Sequence, residues 1–274
     1  MKPNHRAVFP YFGGKWYIGD WIAENLPPGR TLVITHGGGG SPLWHVPLGR
    51  YAVEVLNDID ARVVNFFRVC RERPGDLAAM TLLTPYSRAE WRHCRDTADE
   101  GDELERARKF ITVAKQSRYG AWGRGWSCTI EHAHRGIAQS LSNWLRTPET
   151  ILAVAGRLAR VQLECRDAID VVRTYDRPDT VFYVDPPYCH DVREPGSCDV
   201  YRHEYTREDH EELLRELLRI KGKAAISGYR NPLYDSTLKD WRTVARNVCL
   251  RARQHSRKAG DERAMRTEIL WIKE

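Results

Sequence analysis

Short apolar segments rich in β-branched and aromatic residues recur along the chain, separated by amphipathic or loop-like stretches. These segments cover residues 31–35, 51–56, 161–165, 181–184 and 223–227. Because strands alternate with helices, the pattern predicts a mainly parallel α/β sheet. Two further apolar runs, residues 244–250 and 267–272, have no segment of helix length between them. They predict a hairpin that adds an antiparallel strand to the sheet.

The middle of the chain has a different composition. From about residue 66 to residue 158 the sequence is charged and favours helices, and residues 117–127 concentrate aromatic side chains and arginines. We predict a helical insertion in one α/β domain that is formed by residues 1–65 and 159–274. No internal repeat or low-complexity linker separates the two parts, so the insertion should pack against the sheet domain.

Composition narrows the class of protein. A chain of 274 residues, 42% of them hydrophobic, can bury an ordinary globular core. No apolar run approaches the ~18 to 20 residues that cross a bilayer, and the N-terminal residues lack the apolar core of a signal peptide. We therefore expect no membrane association and a cytoplasmic location. The net charge of +6 and the pI of about 8.9 are compatible with a polyanionic partner but do not establish one.

The seven cysteines are odd in number, widely spaced and never form a Cys-x-x-Cys pair. They predict reduced thiols rather than a disulfide scaffold. Cys189, His190, Cys198 and His203 lie near one another in the sequence, but their spacing fits no common zinc pattern. We predict no metal.

A glycine-rich turn follows the first predicted strand. Residues 35–41 read Thr-His-Gly-Gly-Gly-Gly-Ser, and Asp58, at the end of the next predicted strand, lies 20 residues after Gly38. Glycines allow the backbone to approach a nucleotide cofactor, and an acidic residue about 20 positions later accepts hydrogen bonds from ribose hydroxyls. The same arrangement fits an NAD enzyme or a flexible loop, so by itself it leaves the cofactor open.

A more specific motif ends the strand at residues 181–184, where Asp185, Pro186, Pro187 and Tyr188 follow. Ligands bind at the carboxyl ends of strands in open α/β sheets, and two prolines there end the strand and stiffen the turn. The Asp185 carboxylate and the Pro186 carbonyl could accept both protons of an amine on a heteroaromatic ring, which helps to localise its lone pair. Tyr188 could stack on that ring. The alternative is an ordinary proline turn after a strand.

A third motif, Pro-Tyr-Phe-Gly-Gly-Lys-Trp, occupies residues 10–16. Its aromatic side chains could pack on an adenine ring, and Lys15 could place a cation near a carboxylate. As an isolated motif it equally describes a surface turn.

Taken in order, these motifs resemble the Dam-type, alpha-class adenine-N6 DNA methyltransferases. The resemblance extends over nearly the whole chain and includes residues 54–74, 83–91, 205–229 and 266–272. It implies a Rossmann-like methyltransferase fold, S-adenosylmethionine as methyl donor, and a flipped-out adenine of double-stranded DNA held at Asp185 to Tyr188. It also identifies the insertion as the target-recognition region. Base flipping follows from the chemistry, because a paired and stacked amine is out of reach.

The resemblance also assigns individual residues. The catalytic residues that it implies are Asp185, Pro186, Pro187 and Tyr188. The cofactor contacts that it implies are Tyr11, Lys15, Gly37, Gly38, Gly40, Asp58, Asp167 and Asp185, and we add His36 from its place before the glycine loop. The chain departs from the family at one point, since the glycine loop is usually preceded by Glu-Pro-Phe and here Ile34, Thr35 and His36 take those places. We expect activity to be retained, with either weaker cofactor binding or His36 stacking where the phenyl ring would lie.

The insertion and the segment after the catalytic turn carry further candidates. Arg118, Arg124, Trp122 and Trp126 are candidate DNA contacts, since arginine binds phosphate or guanine and aromatic rings wedge or stack. Packing and solvated charge are the alternative for these four side chains. Residues 189–205 predict a long loop that could close over the flipped base.

Three other functions compete with the adenine enzyme. A cytosine-N4 methyltransferase would use the same amine chemistry, and a non-enzymatic DNA-binding relative would explain the altered residues before the glycine loop. An NAD-dependent dehydrogenase would account for the glycines and Asp58 but leaves residues 185–188 unexplained. The recognised DNA sequence, a restriction partner and the oligomeric state, monomer or dimer, stay open.

Overall fold

The computed structural model describes residues 7–118, 122–131, 133–134, 136–188, 202–249 and 265–274. Its helices are a short 3₁₀ turn Trp16–Ile18, α1 Gly19–Asn25, α2 Ser41–His45, α3 Ala61–Glu72, α4 Pro74–Leu83, α5 Arg88–Asp96, α6 Glu103–Gln116, α7 Gln139–Trp144, α8 Thr147–Leu158, α9 Ala168–Tyr175, α10 Arg207–Arg219 and α11 Pro232–Thr237. Its strands are β1 Thr31–Ile34, β2 Val53–Asn57, β3 Ala133–His134, β4 Ile137–Ala138, β5 Val161–Glu164, β6 Thr180–Val184, β7 Lys223–Gly228, β8 Arg242–Cys249 and β9 Met265–Lys273.

Within the described residues, the central sheet has seven strands in the order β5-β2-β1-β6-β7-β9-β8. The first five of these are parallel to one another, and β9 runs antiparallel to β7 and to β8. The predicted mainly parallel sheet with a C-terminal antiparallel hairpin is confirmed. Both hairpin strands join the sheet, since β9 pairs with β7 and β8 forms the outer edge.

The strands bury side chains on both faces, which explains why they are nearly continuous apolar runs rather than alternating ones. On one face Leu32, Ile34 and Tyr183 belong to a core shared with α1, α3, α6 and α8. On the other face Val33 and Phe182 belong to a core shared with α9, α10 and α11. The sheet is therefore covered by helices on both sides, as a doubly wound α/β fold requires.

Local sequence explains where the covering helices begin and which side they bury. In α10, Thr206 accepts a hydrogen bond from the Asp209 backbone amide and Asp209 bonds back to the Thr206 amide, a reciprocal capping box. Leu213, Leu214 and Leu217 then recur at helical spacing and are buried. The cap and the apolar stripe together fix both the start of this helix and the face that it turns to the sheet.

Helices dominate the predicted insertion between residues 66 and 158, together with the small β3–β4 hairpin. Helix α3 packs against α6 and α8, and α4 packs against α6 and α8 as well. The predicted boundary between residues 65 and 66 falls inside α3, whose Phe66 and Phe67 belong to the core on the sheet. The division of the chain into two domains stays a prediction.

The strand order changes direction between β1 and β6, which lie side by side at the middle of the sheet. The chain leaves β1 toward β2 and β5 on one side, and it leaves β6 toward β7 on the other. Such a switch point opens a crevice beyond the carboxyl ends of the two strands, where ligands bind in this class of fold. Within the described residues, no helix is long and apolar enough to cross a membrane.

Candidate active site

A cavity of about 500 Å³ opens at the carboxyl ends of β1 and β6. Its walls come from the N-terminal turn, the glycine loop, the end of β2, the start of α9, the turn after β6 and residues 202–205. Most of the predicted cofactor and catalytic residues line it. These are Tyr11, Lys15, His36, Gly37, Gly38, Asp58, Asp167, Asp185, Pro186, Pro187 and Tyr188. Lys15 and Asp185, for example, are 170 residues apart in sequence and meet at this crevice.

Asp185 is the hub of the hydrogen bonds at one end of this cavity. Lys15 Nζ lies 2.8 Å from Oδ1 and 3.1 Å from Oδ2 of Asp185. The Ser227 hydroxyl, at the end of β7, donates to Oδ1 at 2.9 Å and in turn accepts from the Tyr183 hydroxyl at 2.9 Å. The carboxylate is thus fixed in orientation while 18% of its side chain stays exposed to the cavity.

Glu268, near the start of β9, contacts both Tyr188 and Lys15. It accepts a hydrogen bond from the Tyr188 hydroxyl at 2.8 Å, and its Oε1 lies 3.7 Å from Lys15 Nζ. Sheet register places it there, because Ile269 pairs with Gly228 next to Ser227. Lys15 also lies 4.7 Å from the centre of the Tyr188 ring, a cation–π contact. We call Lys15, Asp185, Tyr188, Ser227 and Glu268 the base-end cluster.

Burial shapes the charges in the base-end cluster. Burial alone would lower the pKa of Lys15, but the Asp185 and Glu268 carboxylates raise it well above its ordinary value. Burial raises the pKa of Glu268 to about 7, opposed by Lys15 and increased further by Asp185. One ammonium therefore faces two carboxylates in a sheltered place. The net charge of the base-end cluster depends on whether Glu268 is ionised.

The N-terminal turn positions Lys15 and supports the glycine loop. The Gly14 amide donates to the Tyr11 carbonyl at 2.9 Å, and Lys15 Nζ donates to the Gly13 carbonyl at 3.0 Å. The Tyr11 ring packs on Gly38, whose φ is +45° and whose hypothetical Cβ would lie 2.8 Å from that ring. Only glycine meets both requirements, because other residues rarely adopt this backbone conformation and the space is already filled.

Asp58 shapes the glycine loop with both of its carboxylate oxygens. The Gly38 amide donates to Oδ2 at 2.7 Å and the Asp60 amide donates to Oδ1 at 2.8 Å. Burial raises the pKa of Asp58 to about 6, although these two hydrogen bonds oppose the rise. Asp58 lines the cavity as predicted, and its partners in the structure are backbone amides. Its contact with a ribose stays a prediction.

His36, in the place of the family's phenylalanine, forms a wall of the cavity. Its Nδ1 lies 2.9 Å from the Thr35 hydroxyl and its Nε2 lies 3.0 Å from the Tyr205 hydroxyl. The His36 and Tyr205 rings meet edge to face with centres 5.4 Å apart. Burial lowers the pKa of His36 to about 3, with His210 adding to the effect, so the ring is neutral at physiological pH. An uncharged ring therefore takes the phenyl position.

Two other residues hold the wall of the cavity near the start of α9 together. Asp167 accepts from the Ile169 amide at 2.8 Å as the N-cap of α9, and its exposed side chain borders the cavity. Asn57 is fully buried and bonds the Thr35 carbonyl, the Arg166 carbonyl and the Arg166 amide. Asn57 thereby ties the ends of β1, β2 and β5 together. Gly40, the residue before α2, was predicted as a cofactor contact but is not among the residues that line the cavity.

The four candidate DNA contacts lie outside this cavity, next to α6. Trp122 stacks on Phe110 with ring centres 5.2 Å apart, and the Arg62 guanidinium covers it at 4.4 Å. Trp126 donates to the Gln116 side chain at 3.1 Å. Arg118 and Arg124 are exposed, and Arg118 donates to the Trp126 carbonyl at 3.2 Å. The two tryptophans thus contribute to packing, and contacts of all four residues with DNA stay a prediction.

Other predicted features fall partly or wholly outside the described residues. Cys189, His190 and Cys198 lie there, as does most of the predicted loop over residues 189–205. Residues 202–205 border the cavity, and the Arg202 guanidinium lies 3.5 Å from Asp99 and 3.9 Å from Asp60. Among the described side chains, no group of three or more His, Cys, Asp or Glu is arranged to hold a metal ion.

Several site residues were missed by the sequence analysis. Glu268, Ser227, Tyr205 and Asn57 each contact a predicted residue. Ser227 and Glu268 lie in predicted strands and Tyr205 at the end of a predicted loop, but the sequence analysis gave none of these side chains a role. Polar residues inside otherwise apolar strands, as Ser227 and Glu268 are, could have marked two of them, because a buried polar side chain in a strand needs a partner.

Comparisons with known proteins agree with this geometry. Residues 126–247 match the model of a family described as D12 class N6 adenine-specific DNA methyltransferase. The predicted family resemblance is confirmed. A DNA N-6-adenine-methyltransferase of Escherichia phage P1 is 23% identical over 219 residues, which is 76% of this chain and 27% of the phage protein. A DNA adenine methylase of Escherichia coli K12 is 26% identical over 122 residues, which is 44% of this chain and 42% of that enzyme.

The extent of these matches bears on what they establish. The family match covers less than half of the chain, and the chain spans between about a quarter and about two-fifths of the length of the curated relatives that it matches. The D12 family match includes the turn at residues 185–188 and the strands β6 and β7 before and after it. It begins at Trp126 and so leaves out the glycine loop, where this chain departs from the family pattern.

Proposed function

We propose that this chain transfers a methyl group from S-adenosylmethionine to the exocyclic N6 amine of an adenine in double-stranded DNA. One observation carries the proposal. The Asp185 carboxylate is held by Lys15 and Ser227 at the mouth of a crevice, and Pro186, Pro187 and Tyr188 line the same crevice. The family match and the two bacterial and phage relatives support adenine as the base.

The chemistry of an aromatic amine explains the residues of the turn. The lone pair of such an amine is delocalised into the ring, so the nitrogen is a poor nucleophile. The Asp185 carboxylate and the Pro186 carbonyl would accept its two protons, and this would favour a geometry in which the lone pair is localised. Tyr188 would stack on the base, a contact worth ~1 to 3 kcal/mol in single-strand binders. Catalysis would then come from positioning and preorganised charge.

The cavity fits the proposed cofactor in size and in chemistry. Small-molecule sites have volumes of roughly 300 to 1,000 Å³, and this cavity has about 500 Å³. Gly38 has no side chain, so the cofactor could approach its backbone closely. Asp58 and Asp167 offer acceptors for the hydroxyl and amino groups of the cofactor. The neutral His36 ring avoids repulsion of a cation. When bound, S-adenosylmethionine would supply a methyl group carried on a positively charged sulfur.

Proton transfer follows the new bond rather than preceding it in this proposal. Asp185 orients the amine through hydrogen bonds, and the methylated nitrogen becomes acidic enough to release a proton afterwards. Base flipping would bring the amine to Asp185, since a stacked and paired base lies out of reach. Arg118 and Arg124 on the insertion, and the net charge of +6, favour an approach to the phosphate backbone. We place this reaction in the cytoplasm, on cellular DNA.

The test is incubation of the purified protein with labelled S-adenosylmethionine and unmethylated bacterial DNA, followed by digestion to nucleosides and mass spectrometry. We expect label in N6-methyladenine. Label in N4-methylcytosine would overturn the choice of base while keeping the amine chemistry. No transfer by a folded protein that retains affinity for DNA would favour a binding-only relative and contradict the proposal.

A further inference from the structure

Glu268 is buried next to the proposed reaction centre, and neither the turn motif nor the glycine loop includes it. Its side chain is 3% exposed, and it contacts Lys15 and Tyr188 but lines no wall of the cavity. A carboxylate in such a place is costly to keep ionised unless it has a specific partner. Here the partner is the same lysine that holds Asp185.

The number of charges in the base-end cluster matters for the proposed reaction. With Lys15 protonated and Asp185 ionised, the two cancel, and Glu268 decides whether the cluster is neutral or carries one negative charge. In the transfer, the amine lone pair forms the new N–C bond, and the electron pair of the breaking S–C bond goes to sulfur. Positive charge therefore moves from sulfur to nitrogen, and the nitrogen later loses a proton to solvent.

We propose that ionised Glu268 is a positioning residue that gives the base end of the site a net negative charge, and that methyl transfer depends on this charge. The proposal rests on the proposed function, because it concerns the same amine. Glu268 acts through Lys15, which faces both the Glu268 and the Asp185 carboxylates. It also acts through the Tyr188 hydroxyl, which donates a hydrogen bond to it. Charge in a sheltered site that matches the developing charge of a transition state accelerates the reaction.

The groups around Glu268 come from several elements. Lys15 approaches from the N-terminal turn, Tyr183 and Asp185 from β6 and its end, Tyr188 from the catalytic turn, and Tyr229 from the end of β7. On the hairpin, Arg246 lies opposite Glu268 in the ladder, and the Arg266 guanidinium lies 4.9 Å from the Tyr229 ring centre. Burial, with Asp185 adding to it, outweighs Lys15 and the Tyr188 hydrogen bond and raises the pKa of Glu268 to about 7, within the range where activity can be measured.

The decisive variant is Glu268→Gln, which keeps the shape and an oxygen that can accept from Tyr188 but removes the charge. Single-turnover transfer to unmethylated bacterial DNA should be measured at saturating cofactor from about pH 6 to about pH 9. For the wild type, we expect the rate to rise as pH passes through about 7. For E268Q we expect a rate about tenfold lower than the wild-type plateau and without that rise.

A matched control exists in the same sheet. Glu164, at the end of β5, accepts from the Tyr175 hydroxyl at 2.9 Å and does not line the cavity. Glu164→Gln makes the same chemical change to a carboxylate–tyrosine pair and should leave the pH profile of transfer as in the wild type. An E268Q profile that superimposes on that of E164Q would overturn the proposal.

Two further measurements keep the proposal testable. Tyr188→Phe removes a hydrogen bond that lowers the pKa of Glu268 and should move the rise in transfer rate to higher pH. This result is required even if E268Q fails to fold. Thermal unfolding of E268Q and the wild type should also be compared without cofactor or DNA. The unfolding temperature of E268Q minus that of the wild type should increase as pH rises from about 4.5 to about 7. A flat difference would overturn the proposed ionisation.

These outcomes separate the inference from the function on which it rests. If the wild type makes no methylated base at any pH, the proposed function fails and the inference fails with it. If the wild type methylates adenine but its rate does not depend on Glu268 ionisation, only the inference fails. Tenfold loss in E268Q with an unchanged rise through neutral pH would show a purely structural role and would also overturn it.

Discussion

The two ends of the cavity are built by different means. At the base end, side chains from four separate segments bond to one another, and Lys15, Asp185, Ser227 and Glu268 take their positions from these contacts. At the cofactor end, the glycine loop takes its shape from backbone amides held by Asp58 and from the Tyr11 ring packed on Gly38. The first end is therefore built on side-chain charge and the second on backbone shape.

This difference explains how the chain can depart from the pattern of the family that it resembles just before the glycine loop. Ile34 is fully buried in β1, and His36 bonds to Thr35 and Tyr205 in the wall of the cavity. The glycine loop itself is held by Asp58 and by the Tyr11 ring, and not by the side chains of these residues. A change in side chains here alters the wall of the cavity but leaves the course of the loop intact.

The largest effect should come from Asp185. Asp185→Asn keeps the size but replaces a charged acceptor with an amide, so we expect the single-turnover rate to fall by about a thousandfold or more. Lys15 would keep Glu268 as a partner, and the fold should persist. An unfolding temperature of Asp185→Asn close to that of the wild type would confirm that the fold persists. Transfer within tenfold of the wild type would show that the amine is not held at this carboxylate.

Lys15 should come next, because its loss leaves the buried Glu268 and the partly exposed Asp185 without their shared cation. Lys15→Met should lower transfer by about a hundredfold and destabilise the fold by about 3 kcal/mol, as expected when one partner of a buried ion pair is removed. Thermal unfolding at neutral pH measures the second effect. The double variant K15M/E268Q removes one charge of each sign and should recover part of this stability. Equal stability of the single and double variants would contradict the shared-cation account.

A substitution at the cofactor end should instead weaken binding. Gly38→Ala places a Cβ about 2.8 Å from the Tyr11 ring at a φ of +45°, so the loop or the ring must move. We expect about tenfold or greater loss of affinity for S-adenosylmethionine in calorimetry. Gly49→Ala is the matched control, since Gly49 has a φ of +84° but no atom within 4 Å of the added methyl group. Equal affinity in both variants would refute the role of backbone shape.

The smallest effects should come from the residues in the phenylalanine position and its partner. Tyr205→Phe removes the hydrogen bond to His36, and His36→Phe removes that bond together with the one to Thr35. Both variants keep a ring, so each should weaken cofactor binding by about fivefold or less. The double variant should be no worse than His36→Phe alone, because the bond that Tyr205→Phe removes is already lost in His36→Phe. Tyr234→Phe removes the bond to His210 outside the cavity and is the control. Fully additive losses would contradict the His36–Tyr205 contact.

Much of the architecture could be predicted from the sequence because it depends on local patterns. Continuous apolar runs predicted buried parallel strands. The run at residues 181–184 also placed the turn that begins at Asp185. The hairpin followed from the absence of a helix-length segment between its strands. The domain boundary was harder to place, because α3 begins at the end of β2 and continues across residue 65 while packing on the core.

The partners within the site could not be predicted, because they depend on register between distant strands. Glu268 meets Tyr188 only because β9 runs antiparallel to β7 with Ile269 opposite Gly228. Likewise, His36 meets Tyr205 across 169 residues of sequence. Motifs identify residues that chemistry requires in one short segment, whereas a residue that acts through another becomes visible only when the fold brings the two together.

The division of the cavity into two ends can be tested most directly by calorimetric titration of Asp185→Asn with S-adenosylmethionine. Because the glycine loop, Asp58 and Tyr11 are intact in this variant, the account predicts an affinity within about fivefold of the wild type, even though transfer is lost. A loss of affinity comparable to that of Gly38→Ala would contradict the account, since it would show that one set of contacts serves both ends.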